Sequence, residues 1–184
     1  MSRRSFLKKL VRYLITLLGL SGGTYYYARN IEPSLLKINH ENILLPSIPQ
    51  SFHNFKIVQF SDTHIGFQYS LKQLNDLVAK INNLNPNIIV FTGDLIDEPQ
   101  SYRSPEKLSH ILQKLKATDG KLWIYGNHDH GGYGTEIVQN IMSQADFKLL
   151  KNNHTTIERD HERIIIAGVD DLILGKPNLK NALN

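Results

Sequence analysis

Three short polar segments of the chain contain the residue types that bind metal ions and transfer protons. They are Ser61-Asp62-Thr63-His64, Gly93-Asp94-Leu95-Ile96-Asp97 and Gly126-Asn127-His128-Asp129. The 184-residue chain has no cysteine, so a metal ion here has to be held by imidazole, carboxylate, amide or backbone oxygen ligands. Such a donor set suits manganese, iron and zinc alike. The three segments are therefore candidates for one metal-dependent site.

Each of these polar segments follows a short apolar run of the kind that forms a buried strand. Two amphipathic helices fill the intervals between the runs. Ser70 is the predicted N-cap of the first helix, and Ser104-Pro105-Glu106 is a typical opening for the second. The predicted strands cover residues 55–60, 87–92 and 121–125, and the predicted helices cover residues 71–84 and 104–115.

The alternation of strands and helices predicts an α/β fold with a parallel sheet covered on both faces. In an open parallel sheet, ligands bind beyond the carboxyl ends of the strands, so we expect the three polar segments to meet at one edge. Further along, the pattern predicts another helix, three short strands and a loop that enters a final helix. The helix covers residues 136–145, and the strands cover 147–150, 155–158 and 163–169.

The individual residues fit a metal site in different ways. Alternation along a strand predicts that Asp62 and His64 share one face and reach the same ion. Asp94 has two oxygens with which to bridge two ions, and Asn127 offers a neutral oxygen. The glycines before Asp94 and Asn127 are expected where the backbone turns and a ligand approaches closely. Each residue alone also fits a turn or a helix cap, and only the combination favours a metal site.

The ordered set D-x-H, G-D-x-x-D and G-N-H-D resembles the motifs of the calcineurin-like metallophosphoesterases, from about Phe55 to the end of the chain. The resemblance implies a four-layer α-β-β-α sandwich and a centre of two divalent ions, which are manganese, iron or zinc. By the same resemblance, Asp62 and His64 would bind the first ion. Asp94 would bridge the two ions, and Asn127 would bind the second.

The resemblance also implies a reaction. The family hydrolyses phosphomonoesters or phosphodiesters by in-line attack of a metal-activated hydroxide, and both ions neutralise the developing charge. His128 would protonate or stabilise the leaving oxygen. Asp97 would orient its neighbours, and Asp129 would do similar work. The family motif assigns no role to His130, so its contact with the phosphate-ester substrate is a hypothesis.

The first 29 residues differ in composition from the rest. They contain six basic residues and no acidic one, so the remainder has a net charge of −2 against +4 for the whole chain. Because the basic excess lies on this leader, the composition argues against a nucleic-acid-binding domain. The start, SRRSFLKK followed by an uncharged run over residues 13–28, resembles a twin-arginine export signal. The alternatives are a basic amphipathic helix or a short membrane anchor.

A twin-arginine signal implies the export machinery and the cytoplasmic membrane as partners. The protein would then lie beyond that membrane, anchored to it or associated with the cell wall. These patterns divide the chain into three parts. Residues 1–29 are the signal or anchor segment, residues 30–54 are a linker with a first edge strand, and residues 55–184 are the N-terminal part of a metallophosphoesterase domain.

The ligand set that the family implies is only partly present in this sequence. The family adds a later histidine and a G-H-x-H motif, whereas no histidine follows His161 here. The first ion keeps Asp62, His64 and Asp94, but the second keeps only Asp94 and Asn127. Catalytic metal sites usually keep three protein ligands. We therefore expect a sandwich that is incomplete on its C-terminal side, and negligible hydrolysis by these 184 residues alone.

Three interpretations remain open from the sequence. In the first, the chain represents a phosphoesterase whose remaining segment is missing through truncation or a frameshift. In the second, it is a non-catalytic remnant or a membrane-tethered module that binds metal or phosphate without turnover. In the third, a second polypeptide completes the domain.

Overall fold

The computed structural model describes residues 3–32, 35–67, 69–130 and 134–184. The chain forms two compact units, Met1–Asn42 and Ile43–Asn184. In the first unit, helix α1 (Arg3–Tyr26) continues into a π-helical turn at Tyr27–Ile31. Most of the predicted leader is therefore helical. Among the described helices, none is long and apolar enough to cross a membrane.

The second unit is built on a four-stranded parallel sheet with the strand order β1-β2-β3-β4. All four strands coincide with predicted runs, each one or two residues shorter than expected. Ile57 of β1 lies opposite Ile88 of β2, and Lys121 of β3 lies between Ile89 and Phe147. The strands are β1 (Ile57–Phe60), β2 (Ile88–Phe91), β3 (Lys121–Trp123) and β4 (Phe147–Leu149).

Three helices cover one face of this sheet. Alternation along β2 directs Ile89 and Phe91 towards them, where both side chains are fully buried. Ser70 caps the first of these helices through a reciprocal capping box with Gln73, as the sequence predicts. Ser104 also occupies an N-cap position, but its side chain makes no capping hydrogen bond. The helices are α2 (Leu71–Asn83), α3 (Pro105–Leu112) and α4 (Thr135–Gln144).

The opposite face of the sheet is covered by an antiparallel hairpin. Its strands are β5 (Asn153–Arg159) and β6 (Glu162–Gly168). Ile157 packs here with Leu122 in a second apolar cluster. Both faces of the parallel sheet are thus covered, as predicted, and the layer on this second face is a two-stranded sheet. The reason is the period of two in residues 153–168, which packs the half-buried Ile164 and Ile166 against the sheet while Ile165 points outwards.

Helix α5 (Leu179–Leu183) supplies a fourth layer outside the hairpin. His154 lies on the face of β5 opposite to Ile157, and its Nδ1 is 3.1 Å from the carbonyl oxygen of Ala182. Ala182 is fully buried. The layers therefore follow the order helix, sheet, sheet, helix, which confirms the α-β-β-α arrangement that the resemblance implies.

The segment 30–54 differs from its prediction. Its described residues 35–54 contain no strand, and the ordered element there is a 3₁₀ turn at Gln50–Phe52. Phe52 is buried in the cluster beneath the hairpin, and the Ser51 N–H donates to Glu162 Oε2 at 2.8 Å. This turn therefore contacts the hairpin next to its connecting loop instead of extending a sheet.

The position of the hairpin predicts unequal effects for two apolar truncations. Leu122→Ala empties a site that is 4% exposed between the sheet and the hairpin. We expect a loss of about 2–4 kcal/mol in the free energy of unfolding. Ile165→Ala, on the outer face at 58% exposure, is expected to cost about 0.5 kcal/mol or less. Urea denaturation followed by circular dichroism measures both, and equal losses would contradict the layer order.

Candidate metal centre

The segment after β1 leaves the strand before it reaches its polar residues. Strand β1 ends at Phe60, and both Asp62 (φ 51°) and His64 (φ 37°) have left-handed backbone conformations. The predicted cause of their proximity, alternation along a strand, is therefore wrong. Instead, the backbone follows the neighbouring segment: the Asp62 N–H donates to Gly93 O at 3.0 Å, and the His64 N–H donates to Asp94 O at 3.1 Å.

Asp62, His64 and Asp94 form one cluster of potential ligand atoms, all within 4.8 Å of one another. His64 Nε2 lies 3.8 Å from Asp94 Oδ2. Asp62 is exposed and Asp94 is buried, so the cluster runs from solvent towards the core. Two carboxylates and one imidazole are a suitable donor set for a divalent manganese, iron or zinc ion.

Asp97 contacts both histidines of the site. Its Oδ1 lies 3.1 Å from His64 Nδ1 and 3.9 Å from His128 Nδ1. The His64 ring therefore presents Nδ1 to Asp97 and Nε2 to Asp94, which is the usual arrangement of a metal-binding histidine and its supporting carboxylate. A second group of potential ligand atoms, on Asp97, His64 and His128, also lies within 4.8 Å of one another, which is close enough to hold an ion.

The tautomer of His128 follows from its partner. His128 Nδ1 is 2.8 Å from the carbonyl oxygen of Asp97, which can only accept, so Nδ1 carries a proton and Nε2 is the atom left for exchange. This hydrogen bond raises the pKa of His128 above its usual value, and nearby Asp94, Asp97 and Asp129 act in the same direction. The His128 ring stands perpendicular to the His64 ring at 4.6 Å.

Asp129 is fully buried and holds the segments after β2 and β3 together. Its carboxylate accepts the N–H groups of Asp94 at 2.6 Å, Leu95 at 3.1 Å and Gly126 at 3.0 Å. Burial raises the pKa of Asp129 to about 6, and these three hydrogen bonds oppose the rise. The sequence predicts that Asp129 orients neighbouring side chains. Its hydrogen bonds are instead with backbone N–H groups, so it orients whole segments of the chain.

The two glycines allow the segments after β2 and β3 to touch. A Cβ atom at Gly93 (φ 102°) would overlap the backbone of Gly126, and a Cβ atom at Gly126 would overlap the carboxylate of Asp94. The prediction of a close approach at these glycines is thus confirmed, but the approaching group is the protein itself. Asp94 Oδ1 is further held by the His128 N–H at 2.8 Å.

Two other predicted residues lie in the same turn. Asn127 is partly buried beside His128, and its carbonyl oxygen accepts the His130 N–H at 3.4 Å. His130 points away from the cluster, and its Nε2 lies 2.8 Å from Asp170 Oδ1. Sequence reasoning missed Asp170. The available signal was an acidic pair, Asp170-Asp171, directly after the last predicted strand.

A cleft of about 440 Å³ opens beside the cluster. Asp97 and Glu98 form part of its wall, together with the aromatic rings of Phe67 and Tyr102 and the side chain of Arg103. The cleft therefore combines apolar, acidic and basic groups next to the residue that contacts both histidines. It offers room for the organic part of a ligand whose polar end meets the cluster.

The fold and the cluster can be compared with those of known proteins. Residues 55–173 match the family model described as calcineurin-like phosphoesterase. The chain therefore belongs to the calcineurin-like phosphoesterase family.

Three relatives illustrate the range of the family. The chain is 42% identical over its full length to the uncharacterized metallophosphoesterase YkuE of Bacillus subtilis, of which it covers 65%. It is 33% identical over 78% of its length to the UDP-2,3-diacylglucosamine pyrophosphatase LpxG of Chlamydia trachomatis, covering 44% of that protein. A zebrafish (Danio rerio) transmembrane protein with a metallophosphoesterase domain is 29% identical over 74% of the chain, which covers 31% of it. The chain thus spans less than two thirds of the length of these relatives.

The contact between Gly126 and Asp94 predicts a substitution that acts on metal binding. In Gly126→Ala, the added methyl group displaces the Asp94 carboxylate from the cluster. We expect the affinity for Mn²⁺ to fall at least about tenfold, which is roughly 1.4 kcal/mol of binding free energy. Isothermal titration calorimetry measures the change.

Gly120→Ala is the matched control for this test. Gly120 has a positive φ (118°), unlike Gly126, and a Cβ atom there meets open space. Gly120→Ala therefore strains the backbone without contacting Asp94, and it should keep its affinity for Mn²⁺. Equal affinities for the two variants would show that Gly126 does not act through Asp94.

Proposed function

We propose that this protein is a metal-dependent phosphoesterase that hydrolyses phosphomonoesters or phosphodiesters. The observation that supports this most directly is the cluster of Asp62, His64 and Asp94 beside the imidazole of His128. These four side chains come from the carboxyl ends of three neighbouring strands, and an ion at the cluster would lie next to a histidine able to exchange a proton. The family of the chain agrees with this chemistry.

The residues present fit one metal ion well. Asp62, His64 and Asp94 would hold the first ion, and the orientation of His64 by Asp97 favours that use of Nε2. A second ion would take Asp94 and Asn127, which are only two donors among these 184 residues, so its affinity should be weaker. When bound, divalent ions of this kind lower the pKa of water and neutralise charge on a phosphoryl group.

Each remaining polar residue has a distinct task in this proposal. His128 donates a proton from Nε2 to the leaving oxygen, since its Nδ1 proton is engaged by the carbonyl of Asp97. The raised pKa of His128 keeps more of the imidazolium form near neutral pH. Asp97 holds the His64 and His128 rings at fixed positions. The His128 N–H fixes Asp94 Oδ1, which orients the carboxylate that would bridge the ions.

The organic part of the substrate would enter the cleft beside Asp97. Asp97 lines this cleft and contacts both His64 and His128, so a leaving alcohol or phosphate in the cleft would be near the proposed proton donor. Phe67 and Tyr102 suit an apolar or ring-containing group, and Arg103 suits a further anionic group. The relative LpxG is named as a pyrophosphatase of a diacylated nucleotide sugar, a molecule with both kinds of group.

The unequal metal sites predict a two-stage dependence of turnover on Mn²⁺. One equivalent should bind tightly, as seen by calorimetry, while hydrolysis of bis(p-nitrophenyl) phosphate should stay negligible. Turnover, which the small number of ligands for the second ion should keep low, should appear only at a higher Mn²⁺ concentration that fills the weaker site. Asp94→Asn should abolish tight binding and turnover together, and His128→Ala should lower turnover by roughly 100-fold with unchanged binding.

Asp76→Asn is the control, because Asp76 is an exposed carboxylate on α2 away from the cluster. It should leave both stages unchanged. Tight binding of Mn²⁺ without turnover at any concentration would support the alternative, a module that binds metal or phosphate without catalysis. Turnover that survives Asp94→Asn would refute the proposed site altogether.

We also propose that the protein is exported by the twin-arginine pathway and stays at or beyond the cytoplasmic membrane. The support is the position of Arg3 and Arg4 at the start of α1, followed by Lys8, Lys9 and Arg12 with no acidic residue in the helix. Such a basic start followed by an uncharged stretch is what the export machinery recognises. The export machinery and the membrane would then be partners of the leader, and the phosphate ester a partner of the second unit.

Replacement of the arginine pair tests the export proposal. Arg3→Lys combined with Arg4→Lys keeps the charge of the leader but removes the paired guanidinium groups. We expect the full chain to remain in the cytoplasm of a bacterium that has the twin-arginine translocase, as measured by cell fractionation. The control, Lys8→Arg with Lys9→Arg, should be exported normally. Unchanged export in a strain that lacks the translocase would contradict the proposal.

A further inference from the structure

The turn that follows β3, residues 126–130, is only weakly held by its own hydrogen bonds. The Asp129 N–H lies 3.3 Å from Gly126 O, and the His130 N–H lies 3.4 Å from Asn127 O. Both distances are at the long end of the range for hydrogen bonds. The turn carries Asn127 and His128, and groups outside the turn contribute to its shape.

Two buried carboxylates supply that support from opposite ends. Asp129 ties the beginning of the turn to the segment after β2 through the Gly126 and Asp94 N–H groups. The far end of the turn is held by the side chain of His130, whose Nε2 lies 2.8 Å from Asp170 Oδ1. A carboxylate only accepts, so His130 Nε2 carries the proton and donates it.

Asp170 is itself fixed by several partners. Its side chain is 1% exposed, and its Oδ2 accepts the Lys176 N–H at 2.8 Å and lies 3.6 Å from Lys151 Nζ. Burial alone raises the pKa of Asp170, but these contacts together with His130 hold it below its usual value, so the carboxylate is charged. The Asp170 N–H donates to Asn152 Oδ1 at 3.0 Å, which anchors this carboxylate to the start of the hairpin.

The ring of His130 is enclosed on a further side. It packs edgewise on the Tyr125 ring at 4.9 Å, and Lys151 Nζ lies 5.5 Å above the same ring. Its side chain is 14% exposed. An imidazole with one nitrogen bonded to a buried carboxylate and one face packed on an aromatic ring has little freedom to rotate. It is thus suited to transmit the position of Asp170 to the turn.

We infer that Asp170 is a positioning residue which, through His130, fixes the turn that carries Asn127 and His128. The inference rests on the proposed phosphoesterase function for its meaning, but its geometry does not depend on that function. Asp170 follows strand β6 of the hairpin, whereas the turn follows β3 of the parallel sheet. The contact therefore makes the hairpin layer part of the support of the site.

Two variants break this link at different points. His130→Ala removes the imidazole but leaves the bonds of Asp170 to its own segment intact. Asp170→Asn removes the charge but retains an oxygen for the Lys176 N–H. The matched control is Asp171→Asn, because the described hydrogen bonds of the neighbouring Asp171 side chain come from its own turn, through the Ile173, Leu174 and Gly175 N–H groups.

The first measurement is independent of activity. Long-range ¹H–¹⁵N spectra of the histidine rings report the environment of the His128 nitrogens in the full chain. We expect the His128 signals to shift in His130→Ala and in Asp170→Asn, and to stay at their parent positions in Asp171→Asn. Mn²⁺ affinity at Asp62, His64 and Asp94 should change less than the His128 signals, because these ligands lie in other segments and only Asp94 Oδ1 contacts the turn, through the His128 N–H.

The second measurement uses turnover of bis(p-nitrophenyl) phosphate at saturating Mn²⁺. We expect kcat to fall on the order of 10- to 100-fold in each of the two variants, with KM little changed, since a displaced proton donor affects the chemical step. The double variant should fall no further than the single variants, because both residues act through one contact.

The outcomes separate this inference from the proposed function. Unshifted His128 signals in His130→Ala and Asp170→Asn would overturn the inference, as would additive losses of kcat in the double variant. If the parent protein shows no turnover, the proposed function fails while the ring signals still decide the inference. If Asp170→Asn does not fold, His130→Ala carries the test alone, because it leaves the segment 170–176 intact.

Discussion

The second unit depends on one buried carboxylate that binds backbone of two separate segments. Asp129 accepts N–H groups from Asp94 and Leu95 after β2 and from Gly126 after β3. A buried charge of this kind is tolerated only when it is fully hydrogen-bonded. Here the donors are backbone N–H groups of the segments that follow the two strands. The contact brings the segments close enough for the Asp94 carboxylate to rest against Gly126, and so sets the position of a metal ligand.

Much of this arrangement could be predicted from the sequence, because hydrophobic periodicity determines both the strands and the helices. Runs such as Ile88–Phe91 can be buried on both faces only in a covered parallel sheet, and parallel strands end at one edge. The meeting of Asp62, His64 and Asp94 follows from topology alone. The backbone conformation that brings their ligand atoms together does not follow from topology. The left-handed φ angles of Asp62 and His64 arise from hydrogen bonds to Gly93 and Asp94, which are tertiary contacts without a local sequence signal.

Asp170 was missed for a related reason. It lies 40 residues beyond His130, on a segment that follows the hairpin, and no motif connects the two. Periodicity alone also left open which kind of layer covers the second face of the sheet, since a period of two over residues 153–168 indicates strands but not their partner surface, and the second sheet was implied only by the family resemblance. The hairpin packs there because Ile157, Ile164 and Ile166 present one apolar face to Leu122 and its neighbours. Its second role, as the base from which Asp170 reaches the turn, appears only in three dimensions.

The left-handed backbone at Asp62, His64 and Asp94 has a consequence for how this site can change over time. Each such residue costs on the order of 1 kcal/mol compared with glycine at the same φ angle. A glycine in any of these places would relieve that backbone strain while removing a ligand. Relief of strain and selection for metal binding therefore favour different residues at the same three positions. In a lineage that no longer needed the metal, these three codons should be among the first to be replaced.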